Sequence, residues 1–268
     1  MYVDSHCHLS FEGLRERMPE LRREMQAAEV DRALCICTTL EEFDTVHGLA
    51  LAHDNFWATV GVHPDNEGVQ EPVLDDLLRR AALPRVVAIG ETGLDYYRLN
   101  GRSVEEMGWQ RERFRVHIKA ALATGLPLVV HTRSASADTL ALLREEGQGR
   151  VQGVFHCFTE TQAVAEAALA MGFFISFSGI LTFKNAVELR DVARRVPLDR
   201  CLIETDSPYL APAPFRGKVN QPAYVRHVAA ALAELRGLPV EVVAHATSLN
   251  FERLFNRTVS DQTSLQKL

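Results

Sequence analysis

The sequence predicts an α/β fold, a single (β/α)8 barrel of the TIM type, on three observations. Short β-rich runs alternate with segments of helical period, there are eight such runs, and 268 residues is the usual size of one such barrel. In order, the runs cover 2–8, 32–38, 56–63, 86–92, 126–132, 153–158, 173–179 and 201–206. Helical period marks 14–29, 41–53, 105–123, 161–171 and 186–196 between them. After the eighth run, 207–221 carries three prolines with Arg216 and Lys218, and reads as a long functional loop. Two helices then follow at 222–236 and 240–255, split by a turn over 237–239, and 257–268 reads as a polar tail. An open doubly wound sheet is the competing architecture. Its nucleotide-binding form loses support because no GxGxxG follows the first run.

Composition narrows the function classes. The chain is 47% hydrophobic, enough for one large core, yet no window approaches the roughly 18 apolar residues of a membrane helix. Its opening, MYVDSHCHLS, lacks the basic and apolar regions of a secretory signal, and its five cysteines form no CxxC pair. These features predict a cytoplasmic protein with reduced thiols and no membrane contact. The net charge is -6 and no Lys/Arg stripe marks the basic face that a broad grip on nucleic acid normally requires. A phosphate-bearing substrate must therefore be held locally, with bound cations supplying much of the positive field.

Five of the ten histidines, His6, His8, His63, His131 and His156, fall at or just past strand ends. The other five, His47, His53, His117, His227 and His245, fall in helical segments. In a β/α barrel the C-terminal strand ends converge on one rim, which is where active sites form. His6 and His8 are two apart on one strand and share a face, whereas Cys7 between them faces the packing side. Such a pair fits either a shared cation or two hydrogen-bonded core imidazoles. Glu91 follows the apolar run VVAIG, while His131 and His156 end PLVVH and GVFH, and Asp206 ends CLIETD. Each alone has a structural reading. Burying them together without a compensating ion costs many kcal/mol, so the set points to metal.

Six side chains suit two divalent cations roughly 3.5–4 Å apart. One is expected on His6, His8, Glu91 and Asp206, and the other on Glu91, His131 and His156, with Glu91 bridging. A bridging hydroxide would attack the substrate while Asp206 acts as general base, so Asp206 and Glu91 are the expected catalytic residues. Glu204, one layer deeper on the same face, is expected to hydrogen-bond a ligand. His63 is assigned to substrate contact. The mixed nitrogen and oxygen donors suit Zn2+, Mn2+ or iron better than Mg2+.

Together these residues resemble the TatD family of metal-dependent DNases, within the amidohydrolase-like barrel superfamily. The motifs are DSHCHL at 4–9, GVHP at 61–64, GETGLDYY at 90–97, PLVVHTR at 127–133, FHCFT at 155–159, SFSGILTFK at 176–184, ETDSPYLAP at 204–212 and RGKVNQP at 216–222, with NFERLF at 250–255. The resemblance implies the same two-metal site, Mg2+-supported DNase activity from the 3′ end, and a substrate phosphate near His63, Arg216 and Lys218. Glu160 and Ser10 depart from the usual glycine and acid, at the rim and off the proposed ligands. Many superfamily members use a carboxylated lysine on the fourth strand. Here that strand ends in Glu91, which argues against a dihydroorotase-like or phosphotriesterase-like site.

The leading expectation is phosphodiester hydrolysis on DNA, with single strands or strand ends as substrate. The enzymatic rival is cleavage of the D-aminoacyl-tRNA ester, since the same nucleophile attacks carbon or phosphorus. A non-catalytic barrel scaffold is the rival of another class, and it should lack a ligand where this chain lacks none. No heptad seam marks the helices, so a monomer is expected.

Overall fold

The computed structural model describes residues 1–256; the polar tail at 257–268 lies outside the described residues. Eight strands form one parallel sheet in chain order: β1 (Tyr2–Cys7), β2 (Val30–Cys35), β3 (Phe56–Val60), β4 (Val86–Asp95), β5 (Leu128–Arg133), β6 (Gly153–Phe155), β7 (Phe174–Phe177) and β8 (Cys201–Ile203). Backbone bonds just above β8 close the circle. The Asp206 N–H donates to the His6 carbonyl at 2.9 Å, and the His8 N–H donates to the Ser207 carbonyl at 2.9 Å. The seam of the barrel therefore runs through candidate site residues.

Each of the first seven strands is followed by one helix: α1 (Met18–Ala27), α2 (Phe43–Ala52), α3 (Leu74–Ala81), α4 (Gly108–Thr124), α5 (Ser136–Gly147), α6 (Gln162–Ala170) and α7 (Val187–Arg195). Helices α8 (Val225–Arg236) and α9 (Val240–Leu254) follow β8. Single 3-10 turns at Arg15–Arg17, Glu105–Met107 and Pro222–Tyr224 lead into α1, α4 and α8, which accounts for the earlier starts their sequence period suggested. The Thr161 hydroxyl caps α6 by accepting the Val164 N–H, and Gly125 ends α4 in the left-handed region at φ +70°. No helix among the described residues is long and apolar enough to cross a membrane. All five cysteines are free.

Alternation along the strands builds two cores. Ala33, Ala58, Val130, Phe155, Ile175 and Ile203 point outward into a large cluster against the helices. On the opposite parity, Val3, Leu34, Trp57, Val87, Val129, Val154, Phe174 and Leu202 contribute one residue per strand to a second cluster. Phe251 and Leu254 of α9, with Phe255, join that second cluster and plug one end of the barrel. Burying each such aromatic contributes about 2–3 kcal/mol. Moving up the same inward faces, Val129 leads to His131, Val154 to His156, and Leu202 to Glu204 and Asp206. An apolar floor thus supports a polar rim.

Most strands stop short of the β-rich runs, because the ladder ends where the chain turns toward the next helix. His8, His63, His156 and Asp206 consequently sit in loops just past β1, β3, β6 and β8. His6, Glu91 and His131 lie inside β1, β4 and β5. Strands β4 and β5 are the exceptions, β4 running three residues past its β-rich run to reach Asp95 and β5 one residue past its own to reach Arg133. Gly93, at φ +134°, pairs in register with His131, and a Cβ there would lie 1.9 Å from the His131 carbonyl oxygen. Glycine alone permits the approach that sets Glu91 beside His131.

Candidate metal centre

Two groups of donors meet on Glu91, which is almost wholly buried. On its Oε2 side, His6 Nε2 lies at 3.3 Å and His8 Nε2 at 3.9 Å. Asp206 Oδ1 stands 3.5 Å from His6 Nε2 and 3.3 Å from His8 Nε2, and the two imidazole nitrogens are 3.2 Å apart. On its Oε1 side, His156 Nε2 approaches to 2.8 Å, and His131 Nδ1 and His63 Nε2 each to 3.2 Å. All six expected ligands are therefore brought together, and His63 joins them. Arg216 and Lys218 lie outside this cluster. Both are exposed, with the Arg216 guanidinium 3.8 Å from the Phe183 ring centre and the Lys218 ammonium 5.5 Å from that of Phe215.

The donor chemistry fits a cation. Four ligands at 2.0–2.1 Å in a tetrahedron stand about 3.3 Å apart. His6, His8, Glu91 and Asp206 have five such separations between 3.2 and 3.9 Å. Hydrogen bonds then fix which nitrogen His131 and His156 offer. The His131 Nε2–H donates to Asp95 Oδ2 at 3.1 Å, so its Nδ1 lone pair faces Glu91. The His156 Nδ1–H donates to Glu204 Oε1 at 3.2 Å, where the Cys157 N–H also donates, and its Nε2 lone pair faces Glu91 without a hydrogen-bond partner. Lone pairs at 2.8–3.2 Å from a carboxylate oxygen repel it unless a positive charge lies between.

His63 differs. Its Nδ1 accepts the Asp65 N–H at 3.0 Å, so the neutral ring carries its proton on Nε2 and presents a donor to the cluster. Burial lowers the His63 pKa and keeps that ring neutral. It thus presents a donor where a ligand would present a lone pair, although His63, Glu91 and His131 lie close enough together to hold a cation.

The electrostatics follow the same partition. Burial raises the Glu91 carboxyl, but the His156, His63 and His6 rings outweigh it and hold the acid well below the usual carboxylate range. Burial likewise raises Asp206, and His8 and His6 overcome that effect. Burial lowers His156 and His131, yet Glu91 with Glu204 lifts the first and Asp95 with Glu91 lifts the second. Positive charge belongs at this place, whether brought by protons or by metal.

Glu204 takes the supporting position expected of it. Asp95 escaped the sequence reading, although Glu91, Gly93 and Asp95 alternate onto one face of a single strand. Ser10, at the rim, donates to Glu42 Oε2 at 3.3 Å and touches none of the cluster donors. Concavities of about 570 Å³ beside Met1, Arg22 and Asp31 and about 500 Å³ beside Leu198 and His245 contain no cluster residue. The cluster of histidines and carboxylates lies apart from both, at the barrel mouth.

A family model described as TatD related DNase matches residues 3–256. The chain belongs to the TatD-related DNase family. Among relatives of this TatD-related chain, the uncharacterized metal-dependent hydrolase YcfH of Escherichia coli (strain K12) is 48% identical over 267 residues, 98% of this chain and 99% of YcfH. The 3′-5′ ssDNA/RNA exonuclease TatD of Escherichia fergusonii is 34% identical over 235 residues, 85% of this chain and 89% of that protein. Among solved structures, the TatD homolog YJJV of Escherichia coli k12 superposes with a TM-score of 0.86 at 28% identity, covering 95% of this chain and 98% of that one. An organophosphorus hydrolase from Deinococcus radiodurans, at 15% identity and a TM-score of 0.63 over 95% of this chain and 92% of its own, shares the barrel fold alone.

Proposed function

We propose that this TatD-family chain is a metal-dependent hydrolase that cleaves phosphodiester bonds of single-stranded nucleic acid from the 3′ end. One observation carries the reading: Glu91 turns Oε2 toward His6 and His8 and Oε1 toward His131 and His156. A carboxylate shared in this way suits two divalent cations, the arrangement used for in-line displacement at phosphorus. The first is assigned to His6, His8, Glu91 and Asp206, the second to Glu91, His131 and His156. When bound, such cations lower the pKa of water and neutralise charge developing on the phosphoryl oxygens. Mn2+, Zn2+ and Mg2+ are the candidates, the nitrogen-rich donor set favouring the first two.

The chain's own residues then divide the work. Asp206 enters the cluster through Oδ1 and is 14% exposed, which leaves Oδ2 to take a proton from water as general base. His63 holds its Nε2–H toward the cluster and donates it to a phosphoryl oxygen. Arg216 and Lys218, which have no carboxylate partner among the described residues, reach neighbouring phosphates from the loop after β8. The relative named as a 3′-5′ ssDNA/RNA exonuclease supports this substrate over a small ester.

The test is shortening of labelled single-stranded DNA and RNA by metal-stripped protein, with and without added Mg2+, Mn2+ or Zn2+. Stepwise loss from the 3′ end that needs metal and disappears in Asp206→Asn is the expected result. Metal binding without shortening, together with release of the amino acid from D-aminoacyl-tRNA, would move the activity to the ester.

A further inference from the structure

We infer that Phe11 and Tyr209 form a stacking corner for one unpaired base of the strand whose phosphate sits at the metal cluster. The inference rests on the nuclease reading and adds what selects single strands.

The two rings come from opposite ends of the chain and meet over a proposed ligand. Phe11 stacks on the His8 ring with centroids 4.8 Å apart and planes 21° apart. Tyr209 meets the same His8 ring edge-on at 6.4 Å, and meets Phe11 at 6.3 Å with the planes 77° apart. Together they make an L-shaped corner with His8 beneath it. Its backbone is tied to the site. The Phe11 N–H donates to the His8 carbonyl at 3.2 Å, and the Tyr209 N–H donates to the Asp206 carbonyl at 3.0 Å. Buried Asn220 fixes the other side of Tyr209, its Nδ2 donating to the Tyr209 carbonyl at 2.6 Å and to the Thr205 carbonyl at 2.8 Å.

Tyr209 nonetheless leaves 55% of its surface to solvent. An aromatic ring held rigidly and left open gains nothing for folding from that open face, and it binds a planar partner with little ordering cost. Position names the partner. A nucleoside joined to a phosphate at the cluster lies one sugar away, and His8 belongs to both the cluster and the corner. Stacking accepts every base, as a non-specific exonuclease requires, but only a base freed from its duplex neighbours has an open face. Tyr97 is the instructive contrast. It is 61% exposed, but the Arg133 guanidinium lies 3.6 Å over its ring and already fills one face.

The experiment uses metal-loaded full-length protein and four single-stranded DNA oligonucleotides. One has all its bases, two carry a single abasic residue at the 3′-terminal or the penultimate position, and one is abasic at both. Removing the base that sits in the corner should lower kcat/KM roughly 5- to 150-fold, mainly through KM, the value of one base–aromatic stack. In Tyr209→Ala the ratio between base-bearing and abasic strands should collapse toward one, and Tyr209→Trp should preserve it. Equal cleavage of all four strands by the wild type would overturn the corner and leave the nuclease reading standing. Failure of the wild type to cleave any strand would overturn both. Retention of the full ratio in Tyr209→Ala would also overturn the corner. Should Tyr209→Ala lose activity on every strand, Tyr209→Trp decides: a preserved ratio supports the corner and a lost ratio refutes it.

Discussion

Asp95 accepts the Nε2–H of His131 at 3.1 Å and so decides which nitrogen that ring turns toward Glu91. Both oxygens of Asp95 are committed, since Oδ1 accepts the Tyr97 N–H at 2.9 Å. Gln110 on α4 grips the backbone of Asp95 from both sides, accepting its N–H at 2.9 Å and donating to its carbonyl at 3.0 Å. The pair has a consequence for substitution. In Asp95→Asn the amide oxygen stays with the Tyr97 N–H, so the NH2 group falls on His131 Nε2. That favours the proton on Nδ1 and closes the nitrogen assigned to the cation. Partners of this kind are worth about 10–100-fold in metal affinity, and Asp95→Asn should lose at least as much as Asp95→Ala. Calorimetric titration with Mn2+ checks it, and wild-type affinity in Asp95→Asn would contradict the tautomer argument.

Arg216 should matter for binding and not for turnover. Its guanidinium rests on Phe183 outside the cluster, so Arg216→Ala should raise KM several-fold with kcat nearly unchanged. The salt dependence of KM should also become shallower, because one phosphate contact is gone. Steady-state kinetics at two ionic strengths measures both effects. A fall in kcat at constant KM would show that Arg216 acts in the chemical step.

His117 makes the stability of the metal-stripped protein sensitive to acid. This fully buried ring donates Nδ1–H to the Arg113 carbonyl and accepts the Val62 N–H on Nε2. Burial pushes its pKa down from 6.5 to about 4. Above pH 6.5 the ring is neutral in both folded and unfolded chains. As pH falls below 6.5 only the unfolded chain takes up the proton, so stability declines until about pH 4. This one group contributes a loss of about 3 kcal/mol across that window. Urea unfolding at pH 7 and pH 4.5 should show a larger drop for the wild type than for His117→Gln, and equal drops would refute the assignment.

Phe251 should affect stability without altering metal chemistry. It is fully buried in the plug beneath Trp57 and Phe174, on the floor below the cluster. Phe251→Ala should cost about 3–5 kcal/mol in chemical unfolding. Mn2+ affinity measured on the folded variant should stay within a few-fold of wild type, and a large loss would mean that floor and rim are coupled.

The barrel and the residues that meet at its mouth were legible in the sequence for one geometric reason. In a parallel barrel every C-terminal strand end lies on the same rim, so residues from 6 to 206 could be assembled by marking strand ends alone. What stayed hidden depends on local paths. Asp95 belongs to the site because β4 outruns its apolar signal, and the chain reads as a turn after Thr92 unless the Glu91–Gly93–Asp95 alternation is followed. His63 enters the cluster because the loop after β3 curls back to place the Asp65 N–H on its Nδ1, a contact without periodicity. Phe11 and Tyr209 meet only through the β1–β8 seam, nearly two hundred residues apart in the chain.

The most direct test of the shared-carboxylate centre is metal stoichiometry. Metal-stripped wild type and Glu91→Ala would be titrated with Mn2+, the bound ions counted, and folding verified by circular dichroism. Two ions per wild-type chain, with the loss of at least one in Glu91→Ala and a fall in hydrolysis beyond about 100-fold, is the predicted result. A single ion in the wild type, or two ions held at wild-type affinity without Glu91, would contradict it.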